Sequence, residues 1–233
     1  MKEQLEQKDK TIEVAGQRLV LMPERSLFYV EEQALLVADI HVGKDTTFRR
    51  SGISVPEAVA DADFLRLSRA IDRMAARQLI VLGDFQHARM GMTARTNERI
   101  LRWRAQHPEL SITLIMGNHD RVSGKVPGDW NFDVKNGAMQ LGPFTLTHEP
   151  PAKRTSNSIC GHVHPSVRLF GRGGQSEKLS CFFLDRRLLI LPAFGSFTGT
   201  KKMEPDKHSV AYAIAGNAIL ECRQESSKAK GKL

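Results

Sequence analysis

The sequence predicts an α/β fold in which two mixed sheets pack face to face with helices outside, and three observations carry that expectation. Up to about Gly117, short apolar runs alternate with stretches of helical period. Beyond it the period switches to short alternating strands punctuated by Gly and Pro, continuing to Leu220. Packed sheets with outer helices bury both kinds of strand. Third, five apolar runs each end in a side chain able to ligate a metal, as expected at the carboxyl ends of strands in open α/β sheets. No repeat or composition break divides the chain. The expected organisation is a disordered polar segment over 1–10, one domain over 11–223 and a basic tail over 224–233.

Thr11 to Val14 and Arg18 to Leu21 read as a hairpin turning at Ala15-Gly16-Gln17, with a strand at Ser26 to Val30 after it. Residues 42 to 53 show little periodicity and read as a loop. Ser54-Val55-Pro56-Glu57 is a capping box with proline near the first helical position. Ala60, Phe64, Leu67, Ile71 and Met74 then form one apolar stripe of a helix running to about Arg77. Thr93 to Gln106 is a second helix, with Ile100, Leu101 and Trp103 inward and a basic face of Arg95, Arg99, Arg102 and Arg104.

The strands at Ala34 to Ala38, Leu79 to Leu82, Ile112 to Met116, Phe144 to Thr147 and Asn157 to Cys160 deliver the chemistry. They end in Asp39-Ile40-His41, Gly83-Asp84, Gly117-Asn118-His119-Asp120, His148 and Gly161-His162-Val163-His164. Two Asp, one Asn and four His form an oxygen and nitrogen ligand set without thiolates, which suits Mn, Fe, Zn or Co better than a structural cysteine–zinc site. In an extended chain, residues i and i+2 share a face, so Asp39 with His41 and His162 with His164 are expected side by side. Gly83, Gly117 and Gly161 are expected to let the backbone turn just before the ligands. Each motif alone is common; the five in order are not.

This order resembles the calcineurin-like metallophosphoesterases, over about residues 35 to 165. The resemblance implies a four-layer α/β/β/α sandwich, with Asp39, His41 and His164 on one divalent metal and Asn118, His148 and His162 on the other. Asp84 would bridge the two, and a hydroxide between the metals would attack the phosphodiester. His119 would serve the leaving group, oriented by Asp120. Gly83-Asp84-Phe85-Gln86-His87 with Arg89, Gly161-His162-Val163-His164-Pro165, and Leu191 to Gly199 further resemble the PdeM group. That group comprises manganese-dependent phosphodiesterases and DNA endonucleases linked with a repair ligase, an exonuclease and a helicase. Thr200 stands where the group usually carries a second glycine.

A net charge of +8 favours a polyanionic substrate, although Lys228, Lys230 and Lys232 of the tail supply three of those charges. No run approaches the roughly 20 apolar residues of a membrane helix, and Met1 to Lys10 lacks the apolar core of a signal peptide. Cys160, Cys181 and Cys222 are too few and scattered for a disulfide framework, so the expected compartment is the reducing cytoplasm. The expected activity is a dimetal DNA endonuclease of repair, acting on single-stranded or flapped DNA, with Arg49, Arg50, His87 and Arg121 as candidate substrate contacts. The alternatives are a small-molecule phosphodiesterase or nucleotide pyrophosphatase on the same metals, and an inactive scaffold, against which the intact ligand set argues. His107 is expected in solvent at a helix end, and the role of His208 stays open.

Overall fold

The computed structural model describes residues 8–55, 58–153, 155–171 and 174–224. The chain begins as an antiparallel meander of β1 (Lys10–Val14), β2 (Gln17–Met22), β3 (Ser26–Tyr29) and β4 (Ala34–Val37). Helices α1 (Lys44–Arg50) and α2 (Ala58–Met74) lead into β5 (Gln78–Leu82), and α3 (Ala94–Gln106) leads into β6 (Ser111–Ile115). A short α4 (Asn118–Ser123) precedes β7 (Asp133–Lys135). From β4 to β7 the pairing is parallel, so one sheet of seven strands runs in chain order.

The second sheet holds β8 (Met139–Leu141), β9 (Phe144–Leu146), β10 (Asn157–Cys160), β11 (Pro165–Phe170), β12 (Ser176–Asp185), β13 (Leu188–Ile190), β14 (Lys201–Lys202), β15 (Ser209–Ala215) and β16 (Ala218–Cys222). Its order is β14-β11-β12-β13-β10-β9-β8, with β15 joining β12 to β16. Strand β10 is parallel to both its neighbours, β9 and β13. Both sheets are therefore mixed.

Side-chain alternation decides the layering. Leu35 and Val37 point to the helices and pack with Phe64, Leu67, Ile71, Ile100 and Trp103. Leu36 and Ala38 point the other way, against Phe144, Leu146, Ile159 and Phe182. The described helices contribute nothing to the third cluster, on the far side of the second sheet, where Cys160, Val167, Cys181, Phe183 and Ala211 pack among strands. Cys160 is fully buried there. Among the described residues no helix is long and apolar enough to cross a membrane.

Three boundaries and one exposure differ from expectation. Residues 42–53 are not one loop: Lys44–Arg50 is helical, with Asp45 in its first turn paired to Arg49 at 3.0 Å. Seven residues are too short to show an apolar period, but the charge order suits a helix dipole. Helix α2 stops at Met74 because Ala75 turns left-handed, at φ 47°. His107 is half-buried, with Nε2 at 2.8 Å from Ser68 Oγ. The expected disordered segment 1–10 reaches too far, since Lys8 bridges to Ala218 and Asp9 pairs with Arg73. Residues 1–7, the tail from 225, and Pro56 and Glu57 of the capping box lie outside the described residues.

Leu36 is fully buried between the sheets, whereas Leu65 is 52% exposed on α2. Leu36→Ala is expected to cost about 2–5 kcal/mol in denaturant unfolding, and Leu65→Ala less than about 0.5 kcal/mol. Similar losses for both would contradict the two-sheet core.

Candidate metal centre

The carboxyl ends of β4, β5, β6, β9 and β10 meet along one rim. The seam between the sheets closes there, where Ala38 bridges to Ala193. The Phe194 N–H donates to the Ala38 carbonyl (2.8 Å) and the Gly195 N–H to the Asp39 carbonyl (3.1 Å). On the other side, Asp39 N–H donates to Gly83 O (3.0 Å) and His41 N–H to Asp84 O (2.9 Å). Asp39 thus belongs to the seam itself.

Beyond the strand ends the backbone does not stay extended. Asp39, His41, Asp84, His162 and His164 all adopt left-handed φ, between 52° and 65°. A non-glycine residue rarely does so, and five at one rim mark stored strain. The pairs Asp39/His41 and His162/His164 therefore converge through successive left-handed kinks, not through the pleat expected from the sequence.

The glycines act mainly by clearance. Only Gly83 has positive φ, at 79°. A Cβ there would lie 2.1 Å from His148 Nδ1. At Gly117 it would lie 2.1 Å from Asp84 Oδ1, and at Gly161 2.7 Å from Asp39 Oδ2. At Gly117 the requirement is room for the Asp84 carboxylate, and at Gly161 room for the Ala38 methyl (2.5 Å) and the Asp39 carboxylate, where a tight turn was expected.

Three groups of ligand atoms result, Asp39 with His41 and His164, Asp84 with His148 and His162, and His41 with His87 and His119, the atoms of each within 4.8 Å of one another. In the first, His164 Nε2 lies 3.2 Å from Asp39 Oδ1. In the second, His148 Nε2 lies 3.0 Å from Asn118 Oδ1, 3.1 Å from His162 Nδ1 and 3.4 Å from Asp84 Oδ2. Two of the outward ring nitrogens are anchored: His148 Nδ1–H donates to Leu82 O (2.9 Å) and His164 Nδ1–H to Gly199 O (3.0 Å). Such carbonyl partners fix the tautomer and turn Nε2 inward as a lone pair. The carboxylates are held likewise, with His162 N–H on Asp39 Oδ2 and His119 N–H on Asp84 Oδ1, both at 2.9 Å.

What faces inward is a surplus of acceptors. Asp39 Oδ1, His41 Nδ1 and His164 Nε2 are buried without hydrogen-bond partners. Lone pairs at such distances, without a proton between them, require a cation. A proton is the weaker answer: burial disfavours a charged His148, yet its hydrogen bond to Asp84 and the charge of Asp84 outweigh this and push the imidazole up to about 9. His41 shows the reverse, driven down to about 2 by burial and then by the Lys44 cation. It is therefore neutral and ready to ligate. Burial also lowers the Lys44 pKa, against the pull of Asp39 and Asp84. The donor set fits a pair of divalent ions.

His87 enters the site more closely than its sequence position suggested. Its ring stacks on His119 at 5.2 Å and meets His41 edge-on at 5.4 Å. Burial, then Lys44, lowers its pKa to about 4. The His87 carbonyl, not Asp120, orients His119, accepting from Nδ1 at 2.7 Å. Asp120 is fully buried and takes the Gln86 N–H (2.7 Å) and the Gly117 N–H (3.0 Å), so it caps α4 instead. Neighbours on a helix point apart, which is why adjacency misled. Arg49 is committed inside, to Asp45, Thr46 and the Val55 carbonyl. Arg50 is exposed and donates to Met90 O, Arg121 is exposed on α4, and His208 is exposed before β15. Lys44 was missed in the sequence, its only signal being its place three residues after His41.

Asp120→Asn is expected to lower stability by about 1.5–3 kcal/mol, the worth of a buried charge-assisted hydrogen bond. Because Asp120 does not touch the His119 ring, relative rates on substrates with good and poor leaving groups are expected to stay the same. A selective loss on the poor leaving group would restore the orienting role.

No family model matches the chain, and no curated protein matches it. Among solved structures, a Pseudomonas putida nuclease, MPE, aligns with a TM-score of 0.80 and 34% identity, over 92% of this chain and 100% of that one. YfcE, an Escherichia coli phosphoesterase, aligns at a TM-score of 0.42 and 15% identity, over 81% of this chain and 97% of that one. AQ665 of Aquifex aeolicus aligns at 0.39 and 17%, over 60% and 81%. With the five motifs assembled at one rim and a relative of that identity spanning nearly the whole chain, the protein belongs to the metallophosphoesterases, in their PdeM-type group.

Proposed function

We propose that this metallophosphoesterase is a dimetal-dependent DNA endonuclease of repair. The observation that carries the reading is the convergence of two groups of ligand atoms on one rim, with Asp39 Oδ1, His41 Nδ1 and His164 Nε2 of the first buried without partners. In this reading Asp39, His41 and His164 hold one ion, Asn118, His148 and His162 the other, and Asp84 is shared. Mn is the favoured ion, with Fe, Zn or Co as alternatives, because four imidazoles suit these better than Mg. Bound there, the pair supplies Lewis acidity at the phosphoryl group and lowers the pKa of water.

The chain's own groups do the rest. Leu82 and Gly199 hold the ligand imidazoles in one tautomer, so little reorganisation accompanies the reaction. His119 is half-buried with Nδ1 tied to a carbonyl, leaving Nε2 as the nitrogen that passes a proton to the departing oxygen. Support for DNA comes from the net charge of +8 and from the related nuclease. A single-stranded or flapped substrate, cytoplasmic location, and a repair ligase, exonuclease and helicase as partners follow the PdeM resemblance.

Hydrolysis after exhaustive chelation tests the metal requirement. Activity on an aryl phosphodiester and on DNA is expected to vanish, return with Mn and return poorly with Mg; full turnover in Mg alone would refute the ligand assignment. His119→Ala is expected to keep its metals and lose roughly 10²–10⁴-fold on DNA, whose alkoxide leaves badly. On the aryl diester the loss is expected to be much smaller. An equal fall on both, or loss of a metal, would refute the leaving-group role.

Arg50 and Arg121 are the exposed candidates for phosphate contact. Neutralising either to Gln is expected to reduce the salt slope of DNA binding by about one. An unchanged slope would exclude that residue. Arg49→Gln is expected to act through stability, since it breaks the pair with buried Asp45.

A further inference from the structure

Strand β11 starts at Pro165, directly after the candidate ligand His164, and it runs on where the other strands of the rim stop. The register gives its reach. Phe183 of β12 lies opposite Ile190, which lies opposite Cys160, the last residue of β10. Residues 176–180 of β12 and their partners 166–170 of β11 therefore continue past the strand ends that carry the metal centre. Ser176 stands roughly 20 Å of strand beyond Phe183. The two strands form an antiparallel arm beside the site.

Alternation sorts this arm into two faces. Val167, Leu169 and Leu179 join the outer cluster of the second sheet, together with Cys181 and Phe183. Phe182 lies in the layer between the sheets, so Lys178 and Ser176, with their partners Arg168 and Phe170, continue that inner face. Beyond the seam the first sheet no longer covers it, and all four residues are exposed. Phe170, at 76%, is the most exposed large apolar side chain among the described residues. Lys178 Nζ donates to the Thr200 carbonyl (3.0 Å), next to the Gly199 carbonyl that holds His164. The inner face is thus directed to the metal side of the arm. Lys202, alongside Ser166, adds a cation that Glu204 shares at 2.7 Å. Among the described residues the arm's only acid, Glu177, lies opposite Leu169 and so on the outer face.

We propose that the inner face of this arm is the track for a single DNA strand whose phosphodiester lies at the metals, with Arg168 and Lys178 on its phosphates and a base stacked on Phe170. The inference rests on the nuclease reading of the same site. Cations beside an exposed ring are the combination that holds a single strand: the charges follow the backbone, and every base offers a flat face to the ring. Bases stacked inside a duplex offer no free face, so the ring favours single strands. An apolar protein partner seated on Phe170 would desolvate both cations without pairing them, which is costly. Phe170 lies roughly 20 Å of strand from His164, so only a substrate several nucleotides long reaches it.

The test uses the Mn-loaded full chain and compares kcat/KM on long single-stranded oligodeoxythymidylate with that on bis-para-nitrophenyl phosphate. Phe170→Ala is expected to lower that ratio about tenfold, the worth of one stacked base. Phe170→Trp is expected to preserve it. Arg168→Gln and Lys178→Gln are each expected to reduce the salt slope of oligonucleotide binding by about 0.7. A ratio unchanged in Phe170→Ala, or an equal fall on fully paired DNA, would overturn the track. Oligonucleotide bound without cleavage by the wild type, and released by Phe170→Ala, would overturn the nuclease reading and leave the track standing. A wild type that hydrolyses the aryl diester but neither binds nor cleaves DNA would overturn both.

Discussion

Everything at the rim answers to a local excess of lone pairs. Five strand ends from two sheets deliver carboxylate oxygens, imidazole nitrogens and one amide oxygen to a few ångströms of each other, and Asp39 Oδ1, His41 Nδ1 and His164 Nε2 among them are buried without a partner. Left alone, such a cluster would repel itself apart or take up protons, as the raised pKa of His148 shows. What prevents this is backbone. Main-chain N–H groups of His119 and His162 hold the carboxylates, and main-chain carbonyls of Leu82 and Gly199 hold the imidazoles. The cluster is thus strung on groups that cannot be moved without moving the sheets.

That arrangement has a cost. Left-handed conformations at Asp39, His41, Asp84, His162 and His164 cost on the order of 1–3 kcal/mol each. The apolar layers on either side of the first sheet hold the strand ends in place against it, with Leu36, Ile80 and Leu82 on one face and Leu35, Leu79 and Val81 on the other. Positive charge at the centre relieves the repulsion, so metal binding and folding are expected to support each other. Strain at a functional rim, backed by a core with none of its own, is how a fold keeps a site preorganised.

Much of this was legible because the strands are strongly apolar and each is followed by its candidate ligand. Asn157–Cys160 was read to the residue, and the other ligand-bearing strands within one or two. Local readings failed where the deciding partner is distant in sequence. Asp120 follows His119, yet its oxygens go to the main chain at Gln86 and Gly117, while His119 turns to the His87 carbonyl. Gly117 and Gly161 looked like turns because nothing in the sequence shows which carboxylate lies beneath them. Helices α1 and α4 are too short to carry a period, and α4 begins at the candidate ligand Asn118 itself. Arg49 read as a free cation because its partner Asp45 becomes visible only once the segment is known to be helical.

The central claim is that two cations, and not one or none, complete this cluster. Crystals of the protein grown with Mn, with anomalous scattering recorded at the Mn edge and metal content measured on the same preparation, test it most directly. The account requires two anomalous peaks per chain, one among Asp39, His41 and His164, the other among Asn118, His148 and His162, with Asp84 touching both. A single ion, or an ion seated instead among His41, His87 and His119, would contradict it.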